Sequence, residues 1–95
     1  MKNNSLVTVI MPAYNHEKYI KEAIESIINQ DYKNIELIIT NDGSSDTTND
    51  VILSLANRCE ERFINFKYIS RANKGLINTL KEMEQFIDGK YFTIF

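Results

Sequence analysis

Ile35-Glu36-Leu37-Ile38-Ile39-Thr40, running into Asn41-Asp42-Gly43-Ser44-Ser45-Asp46, is the stretch that decides the fold. A β-branched apolar run of strand length passes without a break into a polar loop, and helical periodicity follows. The same progression occurs once before, where Leu6-Val7-Thr8-Val9-Ile10-Met11 runs into Pro12-Ala13-Tyr14-Asn15. If the two strands are parallel neighbours, both loops open at one carboxyl edge of a sheet, which is where open α/β sheets bind ligands.

Working outward, strand and helix signals alternate from end to end. Strand one covers 6–11 and is ended by Pro12, which cannot donate to a ladder. Helix one covers 17–29, with Ile20, Ala23, Ile24, Ile27 and Ile28 on one stripe and Asn15 as N-cap. Strand two covers 35–40. Helix two runs from Asp46 or Thr47 to Arg58 and buries Val51, Ile52, Leu55 and Ala56. Strand three covers 65–69. Helix three covers 74–87, with Leu76, Leu80, Met83 and Ile87 on one face and Gly89 in the left-handed closing position. Strand four covers 91–95. Right-handed crossovers place helices on both faces of a parallel sheet, and the order expected for a nucleotide-binding α/β sheet is 3-2-1-4.

Bulk properties narrow the class. The 95 residues suffice for a single domain with one core, 1–95. Apolar residues make up 43% and charged residues 25%, as in a soluble globular protein. A net charge of −2 offers no basic footprint for nucleic acid. No apolar run approaches the ~20 residues of a membrane span. The start, Met1-Lys2-Asn3-Asn4-Ser5, lacks the apolar core and cleavage site of a signal peptide. Cys59 is the only cysteine, so the cytoplasm is the expected compartment. The closing run Lys90-Tyr91-Phe92-Thr93-Ile94-Phe95 has no turn or polar tail after it, which reads as a chain cut from a longer protein. Such a cut leaves the flank of strand four uncovered and predicts self-association there.

The chemistry lies in the loops. Asp42-Gly43-Ser44-Ser45-Asp46-Thr47-Thr48 combines two carboxylates, several hydroxyls and a glycine. One reading is a well-capped strand-to-helix turn, with Asp46 as a cap. That reading explains Asp42 least, because a carboxylate ending a strand is not needed to cap a later helix. Tyr14 in the first loop offers a ring that can stack on a base or simply cover the helix end. No dinucleotide fingerprint and no P-loop occurs. His16 reads as a polar residue at a helix start, Cys59 as packing, Glu60-Glu61-Arg62 as a solvated turn, and Tyr32 as part of the turn before strand two.

Residues 7–15 and 35–47, together with Arg71-Ala72-Asn73-Lys74-Gly75-Leu76-Ile77-Asn78, resemble the amino-terminal half of a family 2 glycosyltransferase of the Rossmann-like GT-A fold. The resemblance covers 6–95 and rests on three ordered motifs. It implies that Pro12, Ala13, Tyr14, Asn15 and Glu17 pack against the base and ribose of a nucleotide-diphospho-sugar. It implies that Asp42 accepts a hydrogen bond from the base, commonly the N3–H of uracil, with Gly43 and Ser44 shaping the loop. An ionised carboxylate is acceptor-only and suits an imide N–H. Arg71 and Lys74 are both candidates for approaching the base or phosphates. The family's acidic metal motif follows strand four, so a divalent cation (Mg²⁺ or Mn²⁺) and the general base are expected outside these residues, with no metal ligand or catalytic residue within them.

The resulting expectation is the nucleotide-binding part of an inverting glycosyltransferase. It would use a UDP-sugar and transfer to a saccharide or lipid-linked acceptor in polysaccharide or glycoconjugate synthesis, with the whole enzyme a candidate for membrane association. The 95 residues alone are expected to be inactive. The alternative is a non-catalytic nucleotide-binding or assembly module of the same fold. An unrelated flavodoxin-like or receiver-like domain would require the three motifs to coincide by chance.

Overall fold

The computed structural model describes residues 5–95; the stretch 1–4, part of the signal-peptide reading, lies outside them. Seven elements alternate: β1 (Val7–Ala13), α1 (Ile20–Ile28), β2 (Ile35–Asp42), α2 (Thr48–Arg62), β3 (Asn65–Arg71), α3 (Leu76–Glu84) and β4 (Tyr91–Ile94). The four strands form one parallel sheet in the order β3-β2-β1-β4, as expected.

Chain direction explains which helix lies where. The connections β1→β2 and β2→β3 step the same way across the sheet, so right-handed crossovers put α1 and α2 on one face. The connection β3→β4 returns past two strands and puts α3 on the other. Side chains alternate accordingly. Val9, Met11 and Ala13 of β1 and Ile35, Leu37 and Ile39 of β2 pack with Ile20, Ile24, Ile27, Ile52, Leu55 and Phe63 under α1 and α2. Ile10 and Ile38 pack with Met83 under α3. A strand buried on both faces reads as a continuous apolar run, and every residue of β2 is buried.

Several boundaries differ from expectation. β1 runs through Pro12 to Ala13, paired with Thr40 and Asn41 of β2. The Ile10 carbonyl accepts from Phe95 on the β4 side. The missing N–H of Pro12 falls on that same side, beyond the last residue paired with β4, so the β2 ladder is intact. β2 and β3 each extend two residues further, because Asn41↔Ser70 and Asp42↔Arg71 continue the ladder after the apolar run ends. α1 starts at Ile20 with no side-chain cap, and Asn15 is not its N-cap. α2 continues to Arg62, and α3 is confined to Leu76–Glu84. In α2, Ile52 and Leu55 are buried as expected, Val51 and Ala56 only partly. Cys59 is buried, and burial pushes its thiol up to about 11, so it packs rather than reacts.

Three residues take tertiary roles instead of local ones. Gly89 does not close a helix. Its N–H donates to Thr8 Oγ1, and a Cβ there would lie 2.7 Å from the Leu6 carbonyl, so the constraint is close approach to β1. Arg62 is not in a solvated turn. Its guanidinium donates to the carbonyls of Ile28, Gln30 and Tyr32, fixing the end of α2 to the α1–β2 connection. Glu36 is buried in β2, where its carboxylate accepts from Thr8 Oγ1, Asn65 Nδ2 and the Asp88 N–H. By contrast Tyr91, Phe92, Ile94 and Phe95 are each at least half exposed. Among the described residues no helix is long and apolar enough to cross a membrane.

Candidate functional site

The parallel strands bring both loops to the carboxyl edge of the sheet, and there the loops bond to each other. Asn15 takes a positive φ of 52°, which an Asn tolerates better than most residues. In that turn its N–H donates to Ser44 Oγ at 2.9 Å, and its Oδ1 accepts from the Ser45 N–H at 2.9 Å. The Glu17 carboxylate accepts from Thr47 N–H and Oγ1, while Asp46 accepts from the Glu17 N–H. His16 N–H donates to Thr48 Oγ1. Asp46 caps the start of α2 through the Thr48 N–H, as one reading of the sequence expects. Asn15, Glu17 and Ser44 therefore join the two loops in this structure.

Beside this joint lies a cleft of about 390 Å³, lined by Pro12, Ala13, Tyr14, His16, Asp42, Asn73, Gly75, Leu76 and Thr79. Pro12 and Ala13 belong to β1, and Tyr14 follows them with half its surface exposed. Asp42 is buried at the end of β2. Gly43, φ +70°, turns the chain so closely against Asn73 that a Cβ would lie 2.4 Å from its backbone nitrogen. The loop from β3 to α3 folds over Asp42. Oδ1 of Asp42 accepts from the guanidinium of Arg71 and from the Lys74 N–H. Oδ2 accepts from the Gly75 N–H at 3.1 Å and from Asn73 Nδ2 at 3.3 Å. Asn73 Nδ2 also donates to the Asp42 carbonyl at 2.8 Å. Lys74 Nζ, just ahead of α3, reaches forward to Glu82 at 2.7 Å.

Sequence reasoning thus brings Pro12, Ala13, Tyr14 and Asp42 to one cleft, with Gly43 and Arg71 in support. It misses His16, Thr79 and Leu76 as lining, and has Asn73 and Gly75 only as parts of a motif. His16 has no local partner that would single it out. Thr79 and Leu76 fall one turn apart on α3, and Leu76, expected in the core, is exposed. Only the position of α3 over the cleft separates lining from core.

Burial pushes the Asp42 carboxyl upward, but the Lys74 N–H and the Arg71 and Thr79 side chains hold it below its usual value. Glu82 is lowered by its bonds to Lys74 and Arg71. Both folded values lie below the unfolded ones. Their stabilisation is therefore complete above the ordinary carboxylate range and disappears as pH falls through the lowered values. The urea midpoint is expected to hold steady from pH 7 to 5 and to fall below about pH 4, where unfolded carboxylates protonate. Asp42→Asn should flatten that fall. An unchanged acid slope in the variant would remove Asp42 from the linkage.

Among the described residues, no group of three or more His, Cys, Asp or Glu could hold a metal ion. These residues do not by themselves form a metal site.

Comparison with known proteins gives a consistent assignment. The sequence model of Glycosyl transferase family 2 matches residues 8–95. An uncharacterized glycosyltransferase of Haemophilus influenzae is 46% identical over 93 residues, covering 97% of this chain and 28% of the relative. The glycosyltransferase GlyA of Streptococcus pneumoniae is 36% identical over 92% of this chain and 12% of its own length. The chain thus spans between about an eighth and just over a quarter of these relatives. The mannosyltransferase PcManGT of Pyrobaculum calidifontis, solved in complex with GDP-Man and Mn²⁺, superposes with a TM-score of 0.86 at 22% identity, over 98% of this chain and 28% of that one. At that identity the likeness speaks to the fold. TarS of S. aureus gives 0.77 at 26% identity, over 95% and 26%.

Proposed function

The chain belongs to glycosyl transferase family 2, and from that membership we propose that it forms the nucleotide-binding part of an inverting glycosyltransferase using a nucleotide-diphospho-sugar, with a UDP-sugar as donor. The observation that carries the proposal is Asp42, a buried carboxylate lining a cleft that Pro12, Ala13 and the half-exposed ring of Tyr14 line with it. The ring supplies a stacking face and the carboxylate an acceptor for a ring N–H. Uracil and guanine carry such an N–H at neutral pH; adenine and cytosine do not. The GDP-Man in the PcManGT complex makes guanine the natural comparison.

A carboxylate offers about four lone-pair directions, and the donors around Asp42 fill them. A base N–H must therefore replace one. The Asn73 Nδ2 bond is the longest at 3.3 Å, and its nitrogen keeps a second bond to the Asp42 carbonyl. Asn73 is the donor that yields. In the proposed reaction an acceptor hydroxyl, on a saccharide or lipid-linked acceptor, is deprotonated and attacks the anomeric carbon as the nucleoside diphosphate departs. This chain's share is to bind and orient the donor. A divalent cation, Mg²⁺ or Mn²⁺, would be held by residues outside those described. The 95 residues alone are proposed to transfer no sugar.

Calorimetric titration of the full-length protein with UDP, GDP and CDP, with and without Mn²⁺, tests the reading. UDP is expected to bind more tightly than CDP by about tenfold, the value of one charged hydrogen bond. Asp42→Asn should erase that preference. Equal affinity for UDP and CDP in the wild-type protein would sink the base contact.

A further inference from the structure

Arg71 ends β3 directly across the ladder from Asp42, so both side chains leave the sheet on the face covered by α3. There the guanidinium is held on three sides, by Glu82, Asp42 and Thr79. Its Nε donates to Glu82 Oε1 at 2.9 Å. One Nη1 hydrogen goes to Asp42 Oδ1 and the other to the Ala72 carbonyl. Nη2 donates to Thr79 Oγ1 at 2.9 Å and pairs with Glu82 at 2.8 Å. Of the five N–H donors of a guanidinium, four are used in these hydrogen bonds, and Nη2 adds an ion-pair contact to Glu82. The side chain is 16% exposed and, unlike Asp42, does not line the cleft, whereas Lys74, also tied to Glu82, is half exposed.

We infer that Arg71, oriented by Glu82, is a positioning residue that sets the aim of Asp42 into the cleft, and that it grips neither phosphate nor base. The inference deepens the proposed nucleotide reading and rests on it. The planar fork of arginine spans Asp42, Thr79 and Glu82 at once, and a single ammonium cannot reproduce that span. If Arg71 acts through Asp42, its loss weakens recognition of the base and leaves the phosphate contribution intact. Uridine and UDP then lose affinity by the same factor. A phosphate-gripping arginine would instead cost UDP more than uridine.

The experiment is a titration of the full-length protein with uridine and with UDP, for the wild type, Arg71→Lys, Asp42→Asn and the double variant, with folding checked by circular dichroism. Arg71→Lys is expected to weaken both ligands equally, by about tenfold. In the Asp42→Asn background the same change should cost less than about twofold, because the group it aims is already lost. A larger loss for UDP than for uridine, or full additivity in the double variant, overturns the inference. Asp42→Asn leaving uridine affinity unchanged overturns the base reading itself, a different arm and a different result. Should Arg71→Lys fail to fold, Glu82→Gln serves on uridine, which carries no phosphate. A loss of several-fold is expected, and unchanged uridine affinity with a native spectrum counts against the positioning role.

Discussion

Gly43→Ala is expected to lose about 3 kcal/mol of folding stability, with the left-handed backbone contributing roughly 1–2 kcal/mol and forced displacement of packed atoms the rest. The residue sits at φ +70°, and a Cβ added there falls 2.4 Å from the Asn73 nitrogen and 2.9 Å from its Cα. Backbone cannot rotate aside as a flexible side chain can, so the whole β3–α3 loop must shift. That loop delivers the Lys74 and Gly75 N–H groups to Asp42, so nucleotide affinity should fall along with stability. Gly75→Ala is the contrasting case. Its φ is +88°, yet nothing lies within 4 Å of the added carbon. Only a conformational cost applies there, about 1–3 kcal/mol for a backbone at φ +88° and ψ 157°, a region that essentially only glycine occupies. Urea denaturation measures both losses, and a Gly43→Ala loss of no more than about 1–2 kcal/mol, its backbone cost alone, would show that the contact with Asn73 relaxes freely.

Arg62→Met is expected to cost about 2–4 kcal/mol, since charged hydrogen bonds are worth roughly 1.5–3 kcal/mol each and do not add fully. Nε donates to Ile28 O at 2.7 Å, and Nη2 donates to Tyr32 O at 2.7 Å and Gln30 O at 3.1 Å. The guanidinium also lies 5.2 Å from the Phe63 ring centroid. Methionine retains an apolar stem but none of the donors, leaving the carbonyls between α1 and β2 to water. The Ile64 N–H donates to the Ile35 carbonyl at the amino end of β2, so loosening should begin at that end, away from the cleft. Hydrogen exchange should show earlier opening across 28–35 with amides near Asp42 still protected. A loss below about 1 kcal/mol would mean that solvent replaces these bonds at little cost.

Arg62 also marks where sequence reading stops. Beside Glu60 and Glu61 it looks like part of a solvated charge run, and its acceptors lie about thirty positions earlier in the chain. The strands are legible for the opposite reason. A doubly buried parallel strand must be apolar on both faces, so β1 and β2 announce themselves as continuous runs. Their order is the one expected of a nucleotide-binding α/β sheet, and the handedness of the crossovers assigns the helices to their faces. Strand ends are less legible, because Asn41 and Asp42 satisfy a ladder with the backbone while their side chains do something else. Asp42 stands out because local capping does not need it. Its partners Arg71, Asn73, Lys74 and Gly75 can be picked out as a motif but not as its donors. Gly89 and Glu36 answer to close approach and burial, which no local pattern encodes.

The paired loops of Asn15 with Ser44 and Ser45 bear on how such a cleft can be re-engineered. Each loop supplies what the other's turn requires, so neither is an independent module for changing donor preference. A library that varies residues 14–17 alone would mostly sample broken joints. Varying 14–17 and 43–47 as one co-selected cassette keeps the joint between the two loops while the chemistry of each is explored.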